Sequence, residues 1–378
     1  MKADLETFYC RMAAICSHCM VVTDSPVRWT IIANPNAGGF TIPSRWKIHA
    51  ADLYQAEFPQ KMVAETEAYS PFRRNSPYKG LFLTEGTGDA KEFTKKLIDG
   101  MGNDDAFHLI ITAGGDGTSL EVLSALFLAV EKDKHLKERC AVLRLPMGTG
   151  NDGADAWKLS GALDLLLKPA RVELVRGLRL WTSTPGKDNF LAFNILSVGL
   201  DAFVTHNTNK MKGKLPGDFY KLWLDIAALF YDRIYHVGPM SVKTFDENLR
   251  QTGEFQETLL LLAMGASGHR TYGSHNRILP DDRNVCAVRQ MPLFRKIALK
   301  KQVREGTHTG KPETILTNAF RVEFQGSHPI LAQMDGETVL LNKEDYPCVI
   351  TLSEPVIPVL QAIETTNGHR ACDLILPP

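Results

Sequence analysis

Ile110-Ile111-Thr112-Ala113-Gly114-Gly115-Asp116-Gly117-Thr118 is the stretch on which the fold turns. A β-prone run feeds a turn with three glycines, and Leu120, Val122, Leu123, Leu126, Phe127 and Val130 then recur at helical spacing. Glycines at such a strand-to-helix turn let the backbone approach a bulky anion, and the helix N-terminus aims unpaired N–H groups at it. Asp116 stands where a carboxylate can hold Mg²⁺ or polarise a hydroxyl. Thr118 can cap the helix or bond a phosphate oxygen. The expectation is a triphosphate site with acid chemistry beside it.

Outward from this stretch, strands at 29–33, 81–84, 109–112 and 141–145 alternate with helical patterns such as 90–101. Alternation of this kind implies a parallel sheet covered by helices, whose ligands bind beyond the carboxyl ends of the strands. All four strand ends carry polar or glycine-rich turns. Asn34-Pro35-Asn36-Ala37-Gly38-Gly39 closes the first strand, with Pro35 fixing the chain direction and the glycines permitting a tight turn. Alone, it reads equally well as a bland connection; two phosphate-competent loops on one sheet are harder to attribute to chance. Leu145-Pro146-Met147-Gly148-Thr149-Gly150-Asn151-Asp152 closes the fourth. There Asn151-Asp152 is either a plain N-cap or part of a site in which Thr149 bonds ribose or phosphate and Asp152 holds a metal or orders the loop.

From about residue 172 the texture changes to short β-prone runs: 172–175, 178–182, 190–198, 240–244, 258–263, 285–288, 320–324 and 349–352. Helical patterns are few, chiefly 218–231 and 293–303. This is the pattern of a second, largely antiparallel domain, with a boundary near Lys168-Pro169-Ala170. The expected division is an N-terminal extension at 1–27, a nucleotide-binding α/β domain at 28–168, a β-sandwich substrate domain at 169–345, and a C-terminal segment at 346–378 that could pack back on the first domain. A start at Met12 or Met20 would also account for the extension.

Bulk properties exclude several classes. The 43 basic and 43 acidic residues cancel, so no global field draws nucleic acid. Seven cysteines in 378 residues make no disulfide scaffold and fit a reducing compartment. Cys16-Ser17-His18-Cys19 could form half a zinc site or a redox pair, but no second pair follows at finger spacing. The start is too short in apolar residues and too acidic for a signal peptide. No run approaches the ~18 apolar residues of a spanning helix, and 259–264 reads as a buried strand. A cytoplasmic protein with at most peripheral membrane contact is expected.

Asn-Pro-x-Ala-Gly-Gly at 34–39, Gly-Gly-Asp-Gly-Thr at 114–118 and Pro-Met-Gly-Thr-Gly-Asn-Asp at 146–152, in this order, resemble the diacylglycerol kinase catalytic family. The resemblance is closest to its soluble bacterial lipid-kinase branch, related to sphingosine and ceramide kinases. Gly-Gly-Asp-Gly-Thr alone is shared with NAD kinases and distantly with phosphofructokinases; Gly148 to Asp152 is what points to lipid kinases. Thr84-Glu85 ahead of Gly88-Asp89-Ala90, Gly199-Leu200-Asp201-Ala202, the Lys214 to Tyr220 segment, Gly306-Thr307-His308 and Asp335-Gly336-Glu337 extend the similarity over residues 28–341.

The resemblance implies a three-layer α/β domain like those of NAD and diacylglycerol kinases, followed by an antiparallel β-sandwich, with ATP in the cleft between them. It implies nucleotide contacts from Asn34, Pro35, Ala37, Gly38, Thr84, Gly114, Gly115, Asp116, Gly117, Thr118 and Thr149. Asp116 would also serve the catalytic Mg²⁺, directly or through water. Glu337 matches the family's proposed base, with Asp335 as the alternative; without the family, Asp335-Gly336-Glu337 reads as an exposed hairpin turn. Two departures stand out. Where the family carries Asp-Asp-Gly at a second, structural metal, Asp281-Asp282-Arg283 puts a cation beside Asp282, which argues against that metal. Leu120 stands where Asn is usual, while Glu121 and Val122 are kept.

Residues 292–304 mix Arg295, Lys296, Lys300, Lys301 and Arg304 with apolar residues, as in a helix lying on an anionic membrane or one packed on the sandwich with a solvated basic face. Lys210, Lys212 and Lys214 read as a basic loop, either bland surface or a contact for lipid phosphates or ATP. The expected activity is ATP-dependent, Mg²⁺-requiring phosphorylation of a diacylglycerol-like or sphingoid-like lipid, as in phospholipid biosynthesis. The expected partners are the lipid substrate and a membrane surface, with a homodimer left open. NAD kinase and a catalytically inactive nucleotide-binding regulator are the alternatives.

Overall fold

The computed structural model describes residues 2–59, 65–71, 75–102, 104–187, 189–211, 231, 237–272 and 276–363. The chain divides into two compact units, one of residues 1–175 with 355–378, the other of residues 176–354.

The first unit is built on a mainly parallel sheet. Its strands are β1 (Val27–Ala33), β2 (Thr66–Ala68), β3 (Leu81–Leu83), β4 (Phe107–Gly114), β5 (Cys140–Pro146), β6 (Ala170–Val175) and the returning β20 (Ile357–Ala362). They run in the order β2-β1-β4-β5-β20-β6, with β3 also paired to β1. Its helices are α1 (Lys2–Cys16), α2 (Gly38–Thr41), α3 (Pro43–Gln55), α4 (Asp89–Met101), α5 (Asp116–Lys132), α6 (Leu136–Arg139) and α7 (Leu159–Leu167).

Every residue of β4 is buried, as expected for a central strand covered on both faces. Leu109, Ile111 and Ala113 join the core beneath α1, α3 and α7. From the other face, Thr112 Oγ1 meets Ser119 Oγ of α5 at 3.1 Å. Because β1, β3, β4 and β5 run parallel, the turns that follow them all emerge at one edge. That edge is where the glycine loops lie.

The unit departs from expectation at two places. Residues 1–27 are no appendage: Phe8, Met12 and Ile15 of α1 are fully buried, and Phe8 packs edge-on against Phe40 at 5.1 Å. Arg11 caps the end of α3 by donating to the Leu53 carbonyl at 2.9 and 3.1 Å. Three such buried side chains stabilise the fold by about 1.5–3 kcal/mol each, so the segment is integral. Cys16 and Cys19 lie in the same core, where burial pushes both thiols up, the opposite of a reactive pair or metal ligands. The chain also leaves this unit later than Lys168-Pro169-Ala170, because β6 still pairs antiparallel with β20.

The second unit is antiparallel. Its strands are β7 (Leu178–Trp181), β8 (Phe190–Ala192), β9 (Ile195–Gly199), β10 (Pro239–Phe245), β11 (Gln251–Gly265), β12 (Arg270–Tyr272), β13 (Asn276–Leu279), β14 (Val285–Arg289), β15 (Thr314–Thr317), β16 (Arg321–Gly326), β17 (Ile330–Met334), β18 (Glu337–Leu341) and β19 (Cys348–Leu352). Eleven of them form one sheet with the path β18-β17-β9-β11-β10-β16-β19-β7-β8, while β14 pairs with β11 and β15. The 15-residue β11 joins both halves, pairing with β10 through its first part and with β9 and β14 through its last. Leu196, Val198, Leu262, Phe324 and Ile350 enclose one core. Ile195, Ala263 and Cys286 face a second core with α8 (Leu200–Met211) and α9 (Leu293–Glu305).

Lys210 falls within α8 rather than in a loop. Lys212, Lys214, Tyr220 and most of the expected helix at 218–231 lie outside the described residues. The run at 190–198 is two strands, because the backbone at Phe193-Asn194 turns its amides away from the ladder.

Candidate active site

In the first unit the loop after β1 is tied inward by its own side chain: Asn34 Oδ1 accepts the Asn36 N–H at 2.9 Å. The Gly39 N–H donates to the Met147 carbonyl at 2.8 Å, linking this loop to the one after β5. A Cβ on Gly39 would fall 2.8 Å from that oxygen, so only glycine permits the approach. Gly38 faces Thr149, whose Oγ1 would lie 3.1 Å from a Cβ at 38.

The loops after β4 and β5 meet backbone to backbone. A Cβ on Gly148 would stand 2.6 Å from the Gly115 Cα. The Gly148 peptide is fixed at both ends, its N–H donating to Asn151 Oδ1 at 2.6 Å and its carbonyl accepting Arg45 Nη1 at 2.9 Å. Asn151 holds a left-handed φ of 59° and also donates to the Pro146 carbonyl at 3.1 Å. Asn151 is therefore the clasp of this loop, which sharpens the N-cap reading.

Gly115 is the N-cap of α5 and offers no side chain to its first amides, those of Asp116, Gly117 and Thr118. Those N–H groups and the dipole of a 17-residue helix favour an anion there. Asp116, the first helical residue, accepts the Gly153 N–H at 3.3 Å, and a Cβ on Gly150 would come 3.0 Å from its Oδ2. Glycines thus keep space open beside the carboxylate. Thr118 is buried, and a Cβ on Gly114 would clash with its side chain.

Thr84, after β3, is buried with its N–H on the Ala33 carbonyl at 2.9 Å. The neighbouring turn is closed by Asp89, which accepts the Glu85 and Gly86 amides at 2.7 and 2.8 Å. Glu121 of α5 accepts the Gly88 and Lys91 amides at 2.7 and 3.3 Å and so caps α4. Asn34, Pro35, Ala37, Gly38, Thr84, Gly114 to Thr118 and Thr149 therefore all lie at one edge of a single sheet, on loops or at the element ends beside them. Glu121, kept beside Leu120, thus ties α5 to the start of α4.

In the second unit Asp335 and Gly336 are the two central residues of the β17–β18 hairpin, with φ of 46° and 99°. Both left-handed conformations suit the tight primed turn that joins adjacent strands. The Asp335 carboxylate is committed: it accepts the amides of Phe193, Asn194 (3.1 Å) and Ile195 (2.9 Å). That binding leaves Asp335 a structural group and counts against it as a proton acceptor. Glu337 opens β18 opposite Met334 and is exposed.

Beneath this turn lies a polar network that the residue pattern did not assign. Ser197 Oγ donates to Asp201 Oδ2 at 2.7 Å, and Gln333 Nε2 reaches Ser197 Oγ at 3.0 Å and Asp201 Oδ2 at 3.2 Å. Gln333 Oε1 accepts the Gly336 N–H at 3.1 Å, and Asn209 Nδ2 donates to the Gly336 carbonyl at 2.8 Å. Residue 201 keeps part of its surface exposed, but its carboxylate is turned inward, and desolvation pushes its pKa up to about 6 against the help of Ser197 and Gln333. The Gly-Leu-Asp-Ala motif was the available signal; Gln333 had none.

Asp281 is bound by Arg283, whose Nε lies 3.0 Å from Oδ1 and whose guanidinium also reaches Oδ2. This holds the Asp281 carboxyl below its ordinary range. Asp282 is exposed and paired with His269 at 3.0 Å. A guanidinium sits where a second metal would need carboxylate oxygen, so these residues do not fit that ion.

Residues 28–178 match the model of the diacylglycerol kinase catalytic domain. This part of the chain is similar to that domain. The chain is 22% identical over 327 residues to "Diacylglycerol kinase" of Staphylococcus aureus (strain JH9), covering 82% of this chain and 86% of that one. It is 25% identical over 199 residues to "Probable lipid kinase YegS-like" of Alcanivorax borkumensis, spanning 51% of this chain and 56%, little more than half, of that relative. The fold is shared with a crystal structure named "putative diacylglycerol kinase from Bacillus anthracis str. Sterne", with a TM-score of 0.55 at 18% identity, over 89% of this chain and 96% of that one. The α/β unit and the antiparallel β unit together are thus a fold that this chain shares with that structure.

Proposed function

We propose that the protein is an ATP-dependent lipid kinase that transfers the γ-phosphate to a hydroxyl of a diacylglycerol-like or sphingoid-like lipid. The observation that carries the proposal is the close approach of Gly115 and Gly148 beside the open N-terminus of α5, with Asp116 as its first residue. Phosphoryl transfer asks for positioned phosphates, neutralised charge and an oriented hydroxyl rather than covalent chemistry. The amides of residues 115–118 and the turn at 34–39 supply the first, with the Thr149 hydroxyl exposed beside Gly38.

Asp116 would hold Mg²⁺ for the second. No three His, Cys, Asp or Glu side chains cluster among the described residues. One carboxylate facing glycine backbone suits an ion that keeps its waters and binds substrate phosphates. Bound there, Mg²⁺ supplies charge neutralisation on the phosphates. Glu337, held on the rigid 335–336 turn, takes the acceptor's proton late, as the new bond to phosphorus forms, because an alcohol is far too weak an acid for prior deprotonation.

The test is transfer from labelled ATP to a panel of lipid alcohols and to NAD, with the product identified. Phosphorylated lipid is expected, and Asp116→Asn abolishes it while keeping the wild-type melting temperature. Turnover on NAD alone, or nucleotide binding without transfer to any acceptor, refutes the proposal.

A further inference from the structure

Helix α9 turns the wrong side chains to water. Lys296 and Leu299 are buried, and Val303 packs on the core, which defines the side facing the sheet. With about 3.6 residues per turn, the opposite side carries Phe294, Ile297, Lys301 and Arg304, with Leu293 at its margin. Phe294 is 71% exposed, Ile297 54% and Leu293 41%. A surface helix ordinarily buries its apolar stripe and shows charge outward. Single exposed apolar residues need no explanation, but three within the first turns of one helix form a patch that does.

The charges complete the pattern. The helix holds Arg295, Lys296, Lys300, Lys301 and Arg304 against a single acid, Glu305. Arg295 is spent on Glu313 and Lys296 is buried. Lys301 meets Glu305 only loosely, at 3.8 Å, with both side chains exposed. The outward face is therefore apolar in its first half and, Glu305 apart, cationic in its second. A folded protein partner would need a cavity shaped to three convex side chains. A bilayer needs none, because acyl chains take apolar tips of any shape while anionic headgroups take Lys301 and Arg304.

We infer that the outward face of α9 is a docking surface for an anionic bilayer, resting on the lipid-kinase reading proposed above and adding the surface through which the second unit meets the membrane. Phe294 and Ile297 enter the acyl boundary; Lys301 and Arg304 lie against the headgroup phosphates. None of these four side chains belongs to the nucleotide loops or to the turn at Glu337.

Co-sedimentation of the full chain with vesicles tests this, comparing phosphatidylglycerol–phosphatidylcholine mixtures with pure phosphatidylcholine. The wild type should bind the anionic vesicles, less so as salt rises. The double variant F294E/I297E should bind at least ~10-fold more weakly. The double variant K301Q/R304Q should lose at least ~10-fold, together with much of the salt dependence. Both should keep the wild-type melting temperature and turnover on a short-chain, water-soluble diacylglycerol. Undiminished vesicle binding by F294E/I297E overturns the inference, as does a wild type that ignores anionic vesicles. Loss of self-association in that variant with vesicle binding intact also overturns it, assigning the face to a second copy. Vesicle binding that depends on these residues, in a protein that phosphorylates no lipid, supports the docking surface and refutes the kinase reading alone.

Discussion

Replacing Gly148 with alanine adds one methyl group at the point where the loops after β4 and β5 touch. That carbon would lie 2.6 Å from the Gly115 Cα and 2.8 Å from Asn151 Oδ1. Ordinary carbon contacts begin near ~3.5 Å, so the loops must part by about 1 Å. Neither neighbour yields easily: Gly115 is backbone at the start of α5, and Asn151 holds the Gly148 amide in place. Overpacking of this size costs about 1–3 kcal/mol of stability. A 1 Å shift of the groups that orient the phosphates costs roughly 10²-fold in turnover. Gly86→Ala is the matched control, since its Cβ would meet nothing within 4 Å and its φ is not left-handed; it should stay within about 0.5 kcal/mol of wild type. Thermal melts, nucleotide titration and steady-state transfer on the two variants make the comparison. Wild-type nucleotide affinity and turnover in Gly148→Ala would refute the assignment of this contact to the site.

Glu337→Gln should lower turnover by at least ~10²-fold with nucleotide affinity and melting temperature unchanged, and a near-normal rate removes the proton-acceptor role. Asp335→Ala should instead cost about 3 kcal/mol in denaturant unfolding, because the amides of 193–195 lose their acceptor; an unchanged midpoint contradicts the structural role. Asp201 titrates near 6 in the folded chain, above its ordinary value of 3.8. In that window the folded chain takes up a proton that the unfolded chain does not, so this group's contribution to stability rises as pH falls from about 6 to about 4. The stability difference between wild type and Asp201→Asn, followed across this range, should carry that slope, and a flat difference refutes it.

The parallel half of the fold was legible because its signals are local. A buried parallel strand such as β4 must be apolar throughout, and glycines must follow it if an anion is to approach. The four loops could be placed on one edge from alternation alone. What stayed hidden depends on partners distant in sequence. Leu5, Phe8, Met12 and Ile15 recur at helical spacing, but nothing local says that the stripe finds Phe40 and the α3–α7 surface. Pro358 argues against an interior strand, having no N–H for the ladder, yet β20 sits between β5 and β6. At Asp335 the tripeptide showed two carboxylates flanking a glycine; only the fold shows which one the amides of 193–195 consume. The 293–303 segment was legible as basic and apolar, whereas its orientation, with Phe294 outward and Lys296 inward, was not.

The return of the chain into the first sheet governs how this protein is made. Residues 176–354 lie between β6 and its ladder partner β20, and Arg176 and Gly177 are fastened to Ser353 at 2.9 Å where the excursion closes. During synthesis β6 therefore waits for almost half the polypeptide to emerge before its partner exists, leaving an unpaired edge exposed for that interval. A stop codon after residue 354 would spare every motif discussed above and still leave the first sheet without the strand that joins β6 to β5. Premature termination there should yield an aggregating fragment instead of a slow enzyme.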